Sequence, residues 1–277
     1  MFVVLLSKPV FRESPRYVLF AHMLCNDSIQ LFYSSIVIIL FFTKIRTTKS
    51  ACSFLVLVTS STSINAPLNL GVMSLERYTA ICFPLRHSQL ATTRRAYVAI
   101  AAIWFFGLLN PVVNSLHKCV TDPHFFTEQV VCGTQAVLDV SPWQMLLYHA
   151  LNGLYYVTVT LAIVFSYVNV VRVARSASSN DKSTGKAHRT LLLHLVQFVL
   201  CLNVLLYNSI ARYLALVLSS GVYDDVSFAI FLLVILLPRC LNPLIYGLRD
   251  EAIRKLFMLN FTCDLSGGKS KINVKSI

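Results

Sequence analysis

The chain has 277 residues, of which 56% are hydrophobic and only 13% charged, with a formal net charge of +12. A charged share about half the usual one, with a mean hydropathy of +0.66, excludes a soluble enzyme, a collagen-like chain and a disordered chain. In a soluble protein the basic excess would suggest nucleic acid, so its meaning depends on where the charges lie.

In chain order, residues 1–6 are apolar and are followed by Ser7, Lys8 and Pro9. Six residues rise about 9 Å as a helix and cannot cross a bilayer. They lack the basic start and small-residue cleavage site of a signal peptide, and read as the last turns of a helix whose beginning is absent. A true six-span protein is the alternative. The run 17–43 then holds one charge, Asp27. The runs 50–75, 96–116 and 140–171 hold none, 190–220 holds only Arg212, and 226–248 only Arg239. Each reaches the roughly 20 residues needed to cross the hydrocarbon layer, which predicts six full spans in one domain over 1–277. Residues 249–277 form a tail. Its start is amphipathic, with Ile253, Leu256 and Phe257 on one face and Arg254 and Lys255 suited to anionic headgroups, so a helix lying along the membrane is expected. Cys263 beside it is a candidate for palmitoylation or stays a free thiol.

If the segment after the first full span is outside and the sides alternate, inner segments carry 18 Lys and Arg against 4 outside. This asymmetry fits the positive-inside rule and puts the tail in the cytosol. The basic excess is therefore a topology signal, with inner-leaflet lipid as a secondary contact and no nucleic-acid partner. Of the eight cysteines, Cys25, Cys201 and Cys240 lie within spans, and Cys82 and Cys263 face the reducing cytosol. Cys52, Cys119 and Cys132 face outside, where disulfides persist; three allow one bridge and leave one over.

Motifs sit at the span ends. The second full span begins near Cys52 and ends at Glu76-Arg77-Tyr78. The 25 residues between Cys52 and Arg77 correspond to about 37 Å of helix, so the two lie at opposite membrane faces. There follow Cys82-Phe83-Pro84-Leu85-Arg86-His87, then Trp104 in the next span, Lys186-Ala187 and His194-Leu195 at the entry to the penultimate one, and Asn242-Pro243-Leu244-Ile245-Tyr246 in the last. Each string alone is weak; order, spacing and sidedness together are specific. Over residues 17 to about 257 the chain resembles a rhodopsin-like (class A) G-protein-coupled receptor of the odorant-receptor branch, as found in fish. The resemblance implies an all-α membrane bundle of the seven-transmembrane type, with the first helix truncated to a stub and a short amphipathic helix after the last span.

It further implies a switch in which Arg77 pairs with Glu76 at rest and is released to meet a heterotrimeric G protein. An arginine at a span end also simply snorkels to water. Tyr167 and Tyr246 would swing toward Arg77, Pro84 and Leu85 would form the surface a G protein grips, and Asn242 with Pro243 would form a hinge, since the proline removes a backbone hydrogen bond. By the same resemblance Cys52 bonds to a cysteine of the loop 117–141, with Cys132 expected and Cys119 the alternative.

Asp27 and Arg239 are ionisable residues within spans, where charge is expensive and normally paired. Receptors of this type hold sodium at an acid matching Asp27. Here Arg239 stands three residues before Asn242 and Ala66 stands eleven before Arg77, so an ion pair in place of sodium is expected. The ligand pocket is expected in the bundle core, with Thr59, Ser60, Ser63, His149, Asn152, Tyr156, Asn203 and Tyr207 as its polar residues. Tyr155 and Asn208 lie at the same levels. No acid occurs between Cys52 and Glu76, so a small, mainly neutral molecule is expected rather than an amine. Arg212 suits an acidic ligand or pairing with Asp224 or Asp225.

The function expected is detection of odorant-like molecules at the plasma membrane, without cofactor, metal or catalytic residues. A non-odorant receptor of the same class and a truncated, non-signalling fragment are alternatives. A transporter or channel is disfavoured by the lack of an internal repeat or filter-like loop. An intramembrane enzyme is disfavoured by the lack of paired acids or Cys/His clusters.

Overall fold

The computed structural model describes residues 13–133 and 142–176, positions 199, 214, 217, 218, 222 and 226, and the run 228–241. Among the described residues four long helices dominate: α1 (Pro15–Phe42), α2 (Lys49–Cys82), α4 (Thr93–Thr121) and α5 (Pro142–Ser176), with a short α3 (His87–Leu90) on the connection between α2 and α4. All four long helices have the length and apolar composition to cross a membrane.

Local chemistry sets their ends. Pro15 occupies the first turn of α1, where its missing N–H is no loss. The helix stops at Thr43 and Lys44, where Lys44 takes a left-handed φ of 54°. That conformation costs a non-glycine residue about 1–2 kcal/mol; the Lys44 ammonium lies 4.5 Å from the centroid of the Phe41 ring, a contact that offsets part of it. Thr48 caps α2 by accepting from the Ala51 N–H, and Thr92 caps α4 by accepting from the Arg95 N–H. Pro84 follows directly on Phe83, the residue that ends α2. It opens a 3-10 turn, Pro84–Arg86, that leads into α3.

The 34 residues of α2 amount to about 51 Å of helix, well beyond the roughly 30 Å of hydrocarbon. The helix continues past Glu76-Arg77-Tyr78 to Cys82, so these residues lie within it rather than at its end. α2 is the hub, packing on α1, α4 and α5. Its Leu70 meets Val159 and Ile163 of α5 in one buried cluster, while Met73 joins Leu19, Phe20 and Met23 of α1 in another.

Beside these apolar clusters the bundle also buries polar side chains, and it turns large apolar ones outward. Asn26, Asp27, Gln30, Asn65 and Asn69 are buried, whereas Phe105 and Leu161 are 63% and 64% exposed. Lipid accepts the outward apolar side chains, and interhelical hydrogen bonds satisfy the inward polar ones. Outside the helices, β1 (Arg46–Thr48) and β2 (Gln129–Val131) form an antiparallel ribbon pairing Thr47 with Val130. The run Phe231–Leu236 is a π-helical turn, closed by the Leu237 N–H donating to the Leu232 carbonyl.

Candidate functional site

The end of the bundle where α2 starts is tied down in three ways. Cys52 at the start of α2 is disulfide-bonded to Cys132, 80 residues on, with Cα atoms 5.4 Å apart. Cys119 is free and exposed, which removes it as the partner of Cys52. The ribbon β1–β2 holds the loop after α4 beside the loop before α2. Lys49 Nζ donates to Asp122 Oδ2 at 2.7 Å and to Glu128 Oε2 at 2.6 Å. The Lys49 ammonium, helped by the His124 backbone N–H, holds the Asp122 carboxyl below its usual range.

A polar layer crosses the middle. Arg239 Nη1 donates to Asp27 Oδ1 at 3.2 Å, with both side chains almost wholly buried. Beside Asp27, Asn26 Nδ2 donates to the Thr62 carbonyl at 2.9 Å, and the Thr62 hydroxyl donates to Gln30 Oε1. Asn65 donates to the Ile103 carbonyl of α4 at 3.0 Å. Gly107 makes that approach possible, because a Cβ there would lie 1.9 Å from the Asn65 amide. One turn further in, Asn69 Nδ2 donates to the Leu19 carbonyl and Asn69 Oδ1 lies 3.2 Å from His22 Nδ1. The His22 ring stands edge-on to Trp104.

The opposite end, where α2 finishes, carries Glu76 and Arg77. Arg77 Nε lies 3.9 Å from Glu76 Oε2, an ion pair beyond hydrogen-bond distance. His87 Nε2, from the start of α3, lies closer to the same carboxylate, 3.3 Å from Oε1. Tyr78 packs edge-on against Phe83 and against Phe165 of α5. Pro84 opens the turn that presents Leu85, which is 95% exposed. Tyr167 is half-buried on the inner half of α5.

Of the expected pocket residues, Asn152 and Tyr156 are buried on α5. They begin a stripe that continues through Val159, Ile163, Ser166 and Val170 at helical spacing. Thr59, Ser60 and Ser63 are half-buried on α2, and the Thr59 hydroxyl donates to the Leu55 and Val56 carbonyls of its own helix. His149, one turn before Asn152 on the same helix, is exposed. Asn203, Tyr207, Asn242, Pro243 and Tyr246 lie outside the described residues, as do Arg212, the segment 1–6 and the expected helix after residue 249. Sequence reasoning missed His87 as a partner of Glu76, the two acids on Lys49, and the Asn65–Gly107 contact. Each joins residues distant along the chain through a turn or between helices, and no local pattern announces them.

The arrangement is a bundle of membrane-length helices, braced at the Cys52 end by a disulfide and carrying ionic groups near the other end of α2. The family model for the 7 transmembrane receptors of the rhodopsin family matches residues 1–246. Odorant receptor 131-2 of Danio rerio is 31% identical over 253 residues, covering 91% of this chain and 77% of that one. Two human proteins, putative olfactory receptor 1F12P and olfactory receptor 13C2, are each 29% identical over 67% of this chain, and the matches cover 55% and 60% of their lengths. The chain belongs to the rhodopsin family of seven-transmembrane receptors, and within it to the odorant receptors; it is a receptor and not an enzyme.

Proposed function

We propose that the protein binds a small, mainly neutral odorant-like molecule within the helical bundle and passes the signal to a heterotrimeric G protein at the cytoplasmic face of the plasma membrane. The observation that supports this most is that one helix, α2, carries the disulfide Cys52–Cys132 at its outer end and the pair Glu76–Arg77 near its inner end. A change at the outer half is thereby linked by a continuous rod to the surface where Leu85 projects.

In this reading Glu76 restrains Arg77 at rest. Tyr78 and Pro84 shape the surface a G protein meets, and Tyr167, Tyr246, Asn242 and Pro243 take part in the rearrangement. Asn152, Tyr156, Thr59, Ser60, Ser63, His149, Asn203 and Tyr207 supply hydrogen bonds to the ligand, in a pocket without an acid to anchor an amine. The Asp27–Arg239 pair takes the place of a bound sodium ion. Basic residues at the inner surface contact anionic lipid, and the tail is cytoplasmic.

The test is an agonist panel of neutral and charged odorants, with signalling normalised to surface receptor. Neutral, mainly apolar molecules are expected to activate, and Arg77→Ala is expected to abolish the response per receptor at the surface. An Arg77→Ala receptor that signals normally would sink the switch assignment.

A further inference from the structure

The Glu76 carboxylate has two partners among the described residues, one on each oxygen. The looser is Arg77, at 3.9 Å from Oε2; the closer is His87, at 3.3 Å from Oε1. His87 reaches it because the chain folds back after α2. Phe83 ends the helix with its ring against Tyr78, the 3-10 turn Pro84–Arg86 reverses the direction, and His87 starts α3, its carbonyl accepting from the Ala91 N–H. The Glu76 side chain is only 9% exposed, so its carboxylate is poorly served by water.

That burial creates a difficulty for any switch that frees Arg77. Removing one partner from a buried ion pair leaves the other charge uncompensated, and this is the costly part of breaking such a pair. A second partner already bonded to the other oxygen lowers that cost. We propose that His87 is a positioning residue that keeps hold of the Glu76 carboxylate when Arg77 leaves it, and so sets how readily the receptor enters its signalling state. The neutral ring donates through Nε2–H, and the protonated ring adds charge to the same contact. Leu85 sits two residues earlier on the same turn, so the loop that carries the exposed contact surface is fixed by the group that stabilises the released state. This inference rests on the reading of Arg77 as the group that meets a G protein.

The experiment measures ligand-independent recruitment of a panel of G-protein α-subunit probes to the full chain in cells, per receptor at the surface. Glu76→Gln is expected to raise recruitment, because the carboxylate no longer restrains Arg77. If it recruits no probe although it reaches the surface, the reading of Arg77 fails. Given that response, His87→Leu in the otherwise native chain is expected to lower recruitment about tenfold, the scale of one lost hydrogen bond to a charged group. His87→Gln, which still donates, is expected to recover most of it, and His87→Lys, a permanent cation, to exceed the native chain. In the Glu76→Gln background all three are expected to have no effect. If His87→Leu and His87→Lys both match the native chain, or if their effects persist unchanged with Glu76→Gln, His87 does not act through Glu76 and the inference is overturned. A residue that merely braced the loop would alter recruitment in both backgrounds alike.

Discussion

Asp27 and Arg239 are 3% and 2% exposed at their side chains, and either charge alone would be expensive in that layer. Arg239→Leu is expected to destabilise the receptor by about 3–5 kcal/mol, whereas Asp27→Asn combined with Arg239→Gln removes both charges and is expected to recover most of that loss. Thermal melting in detergent, comparing the two singles with the double, checks this. Because a fixed guanidinium occupies the neighbourhood of the acid, sodium beside it is disfavoured. Agonist response is therefore expected to be flat when sodium is exchanged for an inert cation at constant ionic strength. Both residues were legible in the sequence, since a charge inside an apolar run stands out, and the distance between them follows from the fold. Gly107 was not legible. Nothing local marks it, and its role depends on the Asn65 amide arriving from another helix. Gly107→Ala is expected to cost about 1–3 kcal/mol by overpacking. Adding Asn65→Ala should make the pair strongly non-additive in a melting-based mutant cycle.

At the level of elements, the outer ends of α2 and α4 are joined by a ribbon, a disulfide and a lysine shared between two acids. Cys132→Ser is expected to cost about 2–5 kcal/mol, as loss of a native bridge typically does. Cys119→Ser is expected to be silent in the same melting assay, because that thiol is already free and exposed. Lys49→Met tests the electrostatic tie through its pH dependence. A carboxyl held below its usual range contributes fully above that range and loses its contribution as the pH falls through the lower folded value. The stability difference between wild type and Lys49→Met is therefore expected to be constant from about pH 7 to 5 and to shrink only below about pH 4. The long helices were readable because an uncharged apolar run of bilayer length is suited to hydrocarbon and to little else. The last turns of α2 were not, because Arg77 and its neighbours emerge from lipid and hydropathy no longer reports helix there. Three-residue strands are too short to show an alternating pattern. The π-helical turn has no apolar signature distinct from that of an α-helix.

Across the whole molecule, the polar layer at the middle of the bundle joins α1 to the segment that carries Arg239, through residues 212 apart in sequence. A chain enters the membrane in order as it is synthesised. At about 5–20 residues per second, Asp27 is made roughly 10–40 s before Arg239 exists. Throughout that interval the acid lacks its Arg239 partner. The first helices are therefore made before that ion pair can form, and it closes only when Arg239 arrives. Pulse-labelled Arg239→Leu receptor is accordingly expected to remain in the endoplasmic reticulum and be degraded with the kinetics of an unfinished chain, while the doubly neutral protein moves on. Retention of the single variant with passage of the double one would mark the clasp that joins α1 to the Arg239 segment as a checkpoint in biosynthesis.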